Sequence, residues 1–239
     1  MRGFILMLSF FTRIPIGKWV NYSESLYENS LVTFPLVGFV CGAFLALPTM
    51  IPGINGELKA ILCIVAYIAV TGGIHLDGLA DSCDGLFSNR PKERVLEIMK
   101  DSHIGTFGVI ALILYFFCFY TSSALLDWKW LFMMPFVGKS LGFFSAGFSH
   151  YARSEMGMGF VFIEKTTKLQ GALYLIVLFL MVTLILGSAG IIAAFIALIS
   201  TAWLMYLSSK TIGGQTGDTI GFIIELSQMV FLLTGAYLY

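Results

Sequence analysis

The sequence predicts an all-α, polytopic membrane protein: a bundle of about seven transmembrane helices, with residues 1–239 forming one domain and the N-terminus in the cytoplasm. Apolar residues make up 58% of the 239 residues, charged residues only 12%, and the apolar residues form long uncharged runs. A soluble chain typically carries about 25% charged residues. The 14 basic and 14 acidic residues balance, so the net charge gives no indication of a nucleic-acid partner.

Each predicted helix follows from the length of an apolar run, because a span needs about 20 residues. The single runs are 31–52, 58–76, 104–126, 130–149 and 219–239. The run 169–209 contains 41 uncharged residues, about 60 Å of helix, so it must hold two spans. Its turn is expected at the Gly-Ser-Ala-Gly sequence of 187–190. The short apolar stretch 3–11 is expected to be an interfacial or re-entrant anchor.

The basic residues predict the orientation of these helices in the cell membrane. If all seven cross, only Lys59 and Lys129 lie outside, and eleven basic residues lie on the cytoplasmic side: Arg2, Arg13, Lys18, Arg90, Lys92, Arg94, Lys100, Arg153, Lys165, Lys168 and Lys210. This is a clear positive-inside bias. The cytoplasmic segments 77–103, 150–168 and 208–218 carry nearly all polar side chains, so we expect the active site to face the cytoplasm.

The most informative segment carries three aspartates, Asp77, Asp81 and Asp84, at the spacing i, i+4, i+7. This spacing puts them on one face of a helix, where like charges repel unless a cation binds. Carboxylate oxygens favour Mg²⁺, Mn²⁺ or Ca²⁺ over zinc, and Mg²⁺ usually combines one or two carboxylates with substrate phosphates. The alternative is a solvated helix face. The nearby glycines favour close approach of a ligand or a second helix: Gly72, Gly73, Gly78 and Gly85.

Two further segments carry candidate binding residues. In 93–108, a short surface helix is expected, with Arg94 and Lys100 available for phosphates or for ordinary pairing with nearby carboxylates. In 213–221, a Gly-rich turn leads into a helix, which predicts an anion cradle of backbone N–H groups. Asp218 is alternatively the N-cap of that helix.

Two charges fall within predicted spans, Lys139 and Glu225. Charges inside a membrane are costly, so they are usually functional or paired with one another. One interpretation is therefore a structural Lys139–Glu225 bridge.

At these residues the chain resembles the cobalamin synthase family, the adenosylcobinamide-GDP ribazoletransferases. The resemblance rests on FPLVG at 34–38, TGGIHLDGLADSCDG at 71–85, LEIMKDSHIGTFG at 96–108 and GGQTGDTIGFIIE at 213–225. The segments 12–15 and 151–153 also look like family positions. His103 and Lys139 stand where family members commonly have arginine.

The resemblance implies a Mg²⁺-dependent multi-pass enzyme that joins adenosylcobinamide-GDP to α-ribazole, or to its 5′-phosphate, and releases GMP. Together with the acidic face, it implies metal ligation by Asp77, Asp81, Asp84 and Asp218, with Asp81 and Asp84 as catalytic residues. Substrate contacts are expected from His75, Arg94, Lys100, Asp101, Arg153, Gly213, Gly214 and Thr216. The expected partners are these small molecules and the lipid bilayer, with homo-oligomerisation open.

Two other functions fit parts of the pattern. A CDP-alcohol phosphotransferase also carries aspartates on membrane helices, although at a different spacing. A small-solute transporter would explain intramembrane charges and glycine-interrupted helices. Against a transporter, the acidic cluster is expected at a loop rather than at mid-membrane, and the two halves show no internal repeat.

Overall fold

The computed structural model describes all 239 residues and is all-helical, as predicted. Its helices are α1 (Arg2–Phe11), α2 (Glu24–Ser30), α3 (Phe34–Ala46), α4 (Gly56–Thr71), α5 (Ile74–Leu86), α6 (Lys92–Ile98), α7 (Thr106–Leu125), α8 (Trp128–Gly147), α9 (Met158–Lys165), α10 (Lys168–Ile212) and α11 (Gly217–Leu238). Three short 3₁₀ turns accompany them: Gly17–Trp19, Leu31–Thr33 and Leu47–Met50.

Several of these helices are long and apolar enough to cross a membrane. Four stretches meet this description, and the bent pair of α4 and α5 is a fifth if it counts as one span: the four are Glu24–Met50, Thr106–Leu125, Lys168–Ile212 and Gly217–Leu238. The protein is therefore a multi-pass membrane protein. The count of seven spans and the cytoplasmic N-terminus stay predictions. Helix α1 has ten residues, too few to span a bilayer.

The long helix α10 is broken where the sequence predicts a turn. Gly187 adopts φ 65° and ψ −147°, which is outside the helical region and accessible essentially to glycine alone. A Cβ atom at Gly190 would lie 2.9 Å from the carbonyl oxygen of Val182. In a straight helix, residues eight apart are separated by about 12 Å along the axis. The chain therefore reverses at Gly187, and α10 consists of two limbs.

Helix α8 forms the centre of the bundle, with 16 of its 20 residues buried. A helix that is apolar on every side packs inside a bundle rather than at its surface. Its closest neighbour, α3, approaches backbone to backbone: a Cβ atom at Gly38 would lie 2.6 Å from the Phe136 nitrogen, and Gly42 faces Phe132 in the same way. Two glycines one turn apart thus bring α3 against α8.

The predicted span 58–76 is not one continuous helix. Helix α4 ends at Thr71, the chain turns by 94°, and a separate helix, α5, starts at Ile74. Gly72 and Gly73 make this turn in the left-handed conformation, with φ 67° and 72°. Apolar residues continue on both sides of the bend, so hydropathy alone does not reveal it. The bend lays α5, the helix with the three aspartates, against α7 and α11.

Candidate active site

Close contact with α11 holds α5, and with it the three aspartates, in place. A Cβ atom at Gly78 would lie 2.7 Å from the carbonyl oxygen of Asp218, so only glycine fits there without separating the helices. Gly221 on α11 faces the same point, 3.5 Å from the Gly78 Cα when a Cβ is built on it. The glycines around the aspartates thus serve helix packing, one of the two roles predicted for them.

Asp77 and Asp81 face a cavity of about 810 Å³. Neither carboxylate accepts a hydrogen bond from any protein group. Asp81 experiences the negative charges of Asp77, Asp218 and Asp84 and the opposing positive charge of Arg153. The cavity volume lies in the range of about 300–1,000 Å³ that is typical of sites for drug-sized ligands. The two aspartates are therefore free to bind cations or polar ligands in a nucleotide-sized space.

Asp84, the third aspartate of the face, is engaged with the start of α7. Its Oδ2 accepts a hydrogen bond from the Gly105 N–H at 2.7 Å, and its Oδ1 accepts one from the Gly108 N–H at 2.9 Å. Gly105 is the N-cap of α7 and Gly108 lies in its first turn, where backbone donors have no partner within the helix. A negative charge is also favoured at this end of a helix. Asp84 thus links α5 to α7.

Asp218, the fourth predicted metal ligand, is paired with Arg153. Its Oδ2 lies 2.8 Å from the Arg153 Nη2, and both side chains are largely shielded from solvent. Backbone hydrogen bonds join the segments that carry them: the Ala152 N–H donates to the Gln215 carbonyl and the Gln215 N–H donates to the His150 carbonyl, each at 2.8 Å. This pairing of two loops brings Arg153 to the acidic face.

The N-cap of α11 is Thr216, so the alternative assignment of Asp218 as N-cap is wrong. Thr216 and Thr219 form a reciprocal capping box, at 2.8 and 3.2 Å, and Asp218 lies in the first turn. A hydroxyl at this position satisfies the N–H of the third helical residue, which the carboxylate two residues later cannot reach in the same way.

The glycines of the 213–221 turn serve the local fold. Gly213 ends α10 in the left-handed conformation with φ 79°, and Gly214 packs against the His150 carbonyl group. The N–H groups of Gly213, Gln215 and Thr216 are all hydrogen-bonded within the protein. These three donors are therefore committed internally, and substrate binding by Gly213, Gly214 and Thr216 stays a prediction.

Lys100 and Asp101 line the large cavity, whereas Arg94 does not. Lys100 pairs with Glu155 at 2.5 Å, and this pairing holds the pKa of the Glu155 carboxyl below its ordinary value. Hydrogen bonds from His103 likewise lower the pKa of Asp101. Arg94 is exposed and pairs with Glu97 at 2.8 Å, the ordinary i,i+3 pairing that was its alternative interpretation.

His75 and Glu225 belong to a buried polar cluster between α4, α5 and α11. The Tyr67 hydroxyl donates to Glu225 Oε1 at 2.5 Å, and His75 Nδ1 lies 3.9 Å from the same oxygen. The predicted Lys139–Glu225 bridge is wrong: Lys139 Nζ is fully buried with no hydrogen-bond partner and no carboxylate within 4.0 Å. The partner of Glu225 is instead Tyr67, which lies 158 residues from Glu225 in the sequence.

The four predicted metal ligands do not form a ready-made cage. No group of three or more His, Cys, Asp or Glu side chains is arranged to hold a metal ion directly. The donor set that is free, Asp77 and Asp81, instead fits the pattern in which Mg²⁺ takes one or two carboxylates and completes its shell with phosphates and water. The residues fit a shared protein–substrate metal site rather than a fully protein-bound one.

Two features of the site were missed from the sequence. Arg13 lines the large cavity and its side chain covers the left-handed Gly72. Asp77 also lines a second cavity, of about 270 Å³, whose walls include Phe10, Phe11, Tyr27, Phe34 and Phe162. Arg13 had two signals in the sequence, a charge directly after the apolar stretch 3–11 and a place in the family-like segment 12–15, but neither assigned it to the site. The aromatic residues come from four separate helical segments, so no local pattern brings them together.

Comparison with known proteins places the chain in a family. The family model described as cobalamin-5-phosphate synthase matches residues 3–236. The chain belongs to this family. It is 38% identical to the adenosylcobinamide-GDP ribazoletransferase of Alkaliphilus oremlandii (strain OhILAs), over 100% of this chain and 98% of the relative. The enzymes of the same name from Clostridium novyi (strain NT) and Klebsiella pneumoniae subsp. pneumoniae are 36% and 37% identical, each over 98% of this chain and over 96% and 98% of the relatives.

As a member of the cobalamin-5-phosphate synthase family, the protein is an enzyme, a transferase of cobalamin biosynthesis with membrane helices. The match over nearly the whole chain does not favour the phospholipid phosphotransferase or the transporter. No solved structure matches the chain significantly.

Proposed function

We propose that this protein is a Mg²⁺-dependent transferase that joins adenosylcobinamide-GDP to α-ribazole, or to its 5′-phosphate, at the cytoplasmic face of the cell membrane. The observation that carries the proposal is the pair of unpaired carboxylates, Asp77 and Asp81, facing a nucleotide-sized cavity. The names of the full-length relatives supply the substrates.

The reaction is a substitution at phosphorus. A ribazole hydroxyl oxygen forms a bond to the phosphorus attached to cobinamide, and the bond from that phosphorus to the bridging oxygen of the diphosphate breaks. GMP leaves with the bonding electrons, and the hydroxyl proton passes to a base or to water. Negative charge accumulates on the leaving oxygens, so catalysis depends on positioning and on positive charge around the diphosphate.

The large cavity provides such an environment. Arg13, which follows α1, and Lys100, which follows α6, both line the cavity and can face phosphate oxygens. Asp77 and Asp81 would hold Mg²⁺ together with the diphosphate, and the ion would neutralise charge that develops on the phosphate oxygens. Lys100 already pairs with Glu155 at the surface, so it would exchange this exposed partner for the substrate.

The two predicted catalytic aspartates take different roles in this proposal. Asp81 is the carboxylate without a protein partner and is available as a ligand or as the acceptor of the hydroxyl proton. Asp84 is a positioning residue, because both of its oxygens accept backbone hydrogen bonds from α7. Arg153 orients Asp218 beside the same face.

The test is GMP release by the purified full-length protein in detergent with adenosylcobinamide-GDP, α-ribazole and Mg²⁺. Asp77→Asn and Asp81→Asn remove one charge each with little change of shape, and each is expected to lower kcat at least about 100-fold, in the range of losing one electrostatic contact in a transition state. Asp127→Asn is the matched control, since Asp127 caps α8 far along the chain from this face and asparagine also caps helices. Full activity of both variants would refute the proposal.

A further inference from the structure

The smaller, aromatic cavity is not explained by the chemistry of the diphosphate. Of its 15 lining residues nine are hydrophobic, and the charged ones are Asp77 and Asp218 at the acidic face. The cavity and the large polar cavity share Asp77, Ile74 and Phe10. Two spaces of different chemistry therefore meet at the aspartate to which we assign the reacting diphosphate.

The aromatic walls are arranged edge to face. Phe34 contacts Phe11 and Phe162, with ring centroids 4.6 and 5.0 Å apart and interplanar angles of 67° and 83°. The His75 ring lies nearly parallel to Phe11, at 6.0 Å and 24°. Rings in these arrangements present both faces and edges to the space between them, and a planar aromatic ligand can complete such a set.

His75 adds one polar group to this apolar wall. Its side chain is 8% exposed, and its Nδ1 has no hydrogen-bond partner although it lies 3.9 Å from Glu225 Oε1. His75 also lines the aromatic cavity, so its unsatisfied ring nitrogen belongs to a side chain of the cavity wall. A buried polar side chain without a partner is costly unless a ligand completes it.

The cavity volume decides which part of a substrate fits. At about 270 Å³, the space lies just below the usual range of about 300–1,000 Å³ for drug-sized ligands, so it suits a bicyclic ring and not a whole nucleotide. Guanine carries an amino and a carbonyl group on its edge, whereas nine of the 15 lining residues of this cavity are hydrophobic. A benzimidazole carries only its two ring nitrogens. A lipid acyl chain has no polar group to offer the unsatisfied Nδ1 of His75.

We infer that the aromatic cavity binds the benzimidazole base of α-ribazole, so that acceptor and donor occupy separate cavities that meet at Asp77. The inference rests on the proposed function, because the base is part of the proposed acceptor. Phe162, from α9, and Ile220, from α11, set the size of the cavity and hence the choice of base. The diphosphate and guanosine of the donor occupy the large cavity.

The inference predicts a selective effect on the acceptor. Phe162→Leu removes one aromatic wall and keeps an apolar side chain, and it is expected to raise KM for α-ribazole about tenfold, equivalent to 1.4 kcal/mol. KM for adenosylcobinamide-GDP should change less than about twofold. Phe231→Leu is the matched control, because Phe231 is also buried but packs on Trp130 outside both cavities.

A second variant tests the same point by filling the cavity. Ile220→Phe should lower kcat/KM for the riboside of dimethylbenzimidazole at least about fivefold more than for the riboside of unsubstituted benzimidazole. The ratio of the two is independent of the amount of folded protein, so partial misfolding does not obscure it.

The outcomes separate the inference from the proposed function. An unchanged KM for α-ribazole in Phe162→Leu, an equal rise for both substrates, or an unchanged ratio in Ile220→Phe would overturn the inference. Each of these results still requires turnover by the unaltered protein. Absence of GMP release from the unaltered protein would instead overturn the proposed function.

Discussion

Asp84 offers the sharpest separation of a positioning role from a catalytic one. Its carboxylate accepts two hydrogen bonds from the start of α7, at 2.7 and 2.9 Å, across 21 and 24 residues of sequence. Gly105 and Gly108 keep this space open, because a Cβ atom at Gly108 would lie 2.5 Å from Asp84 Oδ2. Asp84→Asn keeps one acceptor oxygen, turns the other into a donor and removes the charge.

The expected loss of stability has two parts: the loss of the cap on α7 and the loss of the favourable interaction between the carboxylate charge and the N-terminus of that helix. Removing a cap costs about 0.5–2 kcal/mol, and a charge at a helix end contributes about 0.3–1 kcal/mol. We expect Asp84→Asn to lower the free energy of unfolding by about 2 kcal/mol, which is roughly 4–8 °C in Tm for a chain of this length. The assay is thermal unfolding in detergent beside a titration of GMP release with Mg²⁺.

The comparison with Asp81→Asn makes this prediction decisive. Asp81 accepts no protein hydrogen bond, so its variant should keep the Tm of the unaltered protein and lose activity with a raised Mg²⁺ requirement. Asp84→Asn should show the reverse: a lower Tm and an unchanged half-saturating Mg²⁺ concentration for the activity that remains. An unchanged Tm together with a raised Mg²⁺ requirement in Asp84→Asn would refute the positioning role.

Three further substitutions test the packing around the site. Gly78→Ala should lower stability by about 1–3 kcal/mol, measured as Tm, because its Cβ would overlap the α11 backbone; Gly157→Ala, with open space around it, is the control. Arg153→Met should lower kcat, measured by GMP release, because Asp218 loses its partner, and Arg153→Lys should restore part of it. Gly187→Ala should cost about 1–3 kcal/mol in Tm, because its backbone conformation is strained for alanine.

Each of these has an outcome that contradicts the reasoning. Equal Tm values for Gly78→Ala and Gly157→Ala would mean that α5 and α11 are not in close contact. Full activity of Arg153→Met would show that the ion pair does not orient Asp218. An unchanged Tm for Gly187→Ala would mean that the two limbs of α10 do not meet at a residue with the strained backbone angles of Gly187.

Features that depend on neighbouring residues alone could be predicted from the sequence. The runs 104–126 and 219–239 correspond to α7 and α11 within two residues at each end, since uncharged stretches of this length have few alternatives to a helix. The turn within 169–209 was found because its length exceeds one bilayer crossing. The bend at Gly72 was missed because apolar residues lie on both sides of it and the Gly72-Gly73 pair, itself a turn signal, was interpreted as room for a ligand or a second helix.

The sequence predicted the acidic face, but it could not predict which of its carboxylates are hydrogen-bonded within the protein and which are free. The period of 3.6 residues already places Asp77, Asp81 and Asp84 on one side of a helix. It carries no information about what approaches that side. The backbone at the start of α7 donates hydrogen bonds to Asp84, and Arg153 forms an ion pair with Asp218. The residues in these contacts are 21 to 65 positions apart in the sequence.

The sequence by itself determined that this protein is a membrane enzyme with an acidic helix face. Composition can be counted from the chain alone, and the helical period and the family motifs depend only on residues close together in the sequence. Only the tertiary structure decided that Asp77 and Asp81 stay free and that a polar and an aromatic cavity meet at Asp77. The physical reason is that hydrogen bonds and cavities depend on distances in space, and the folding of distant helices sets those distances.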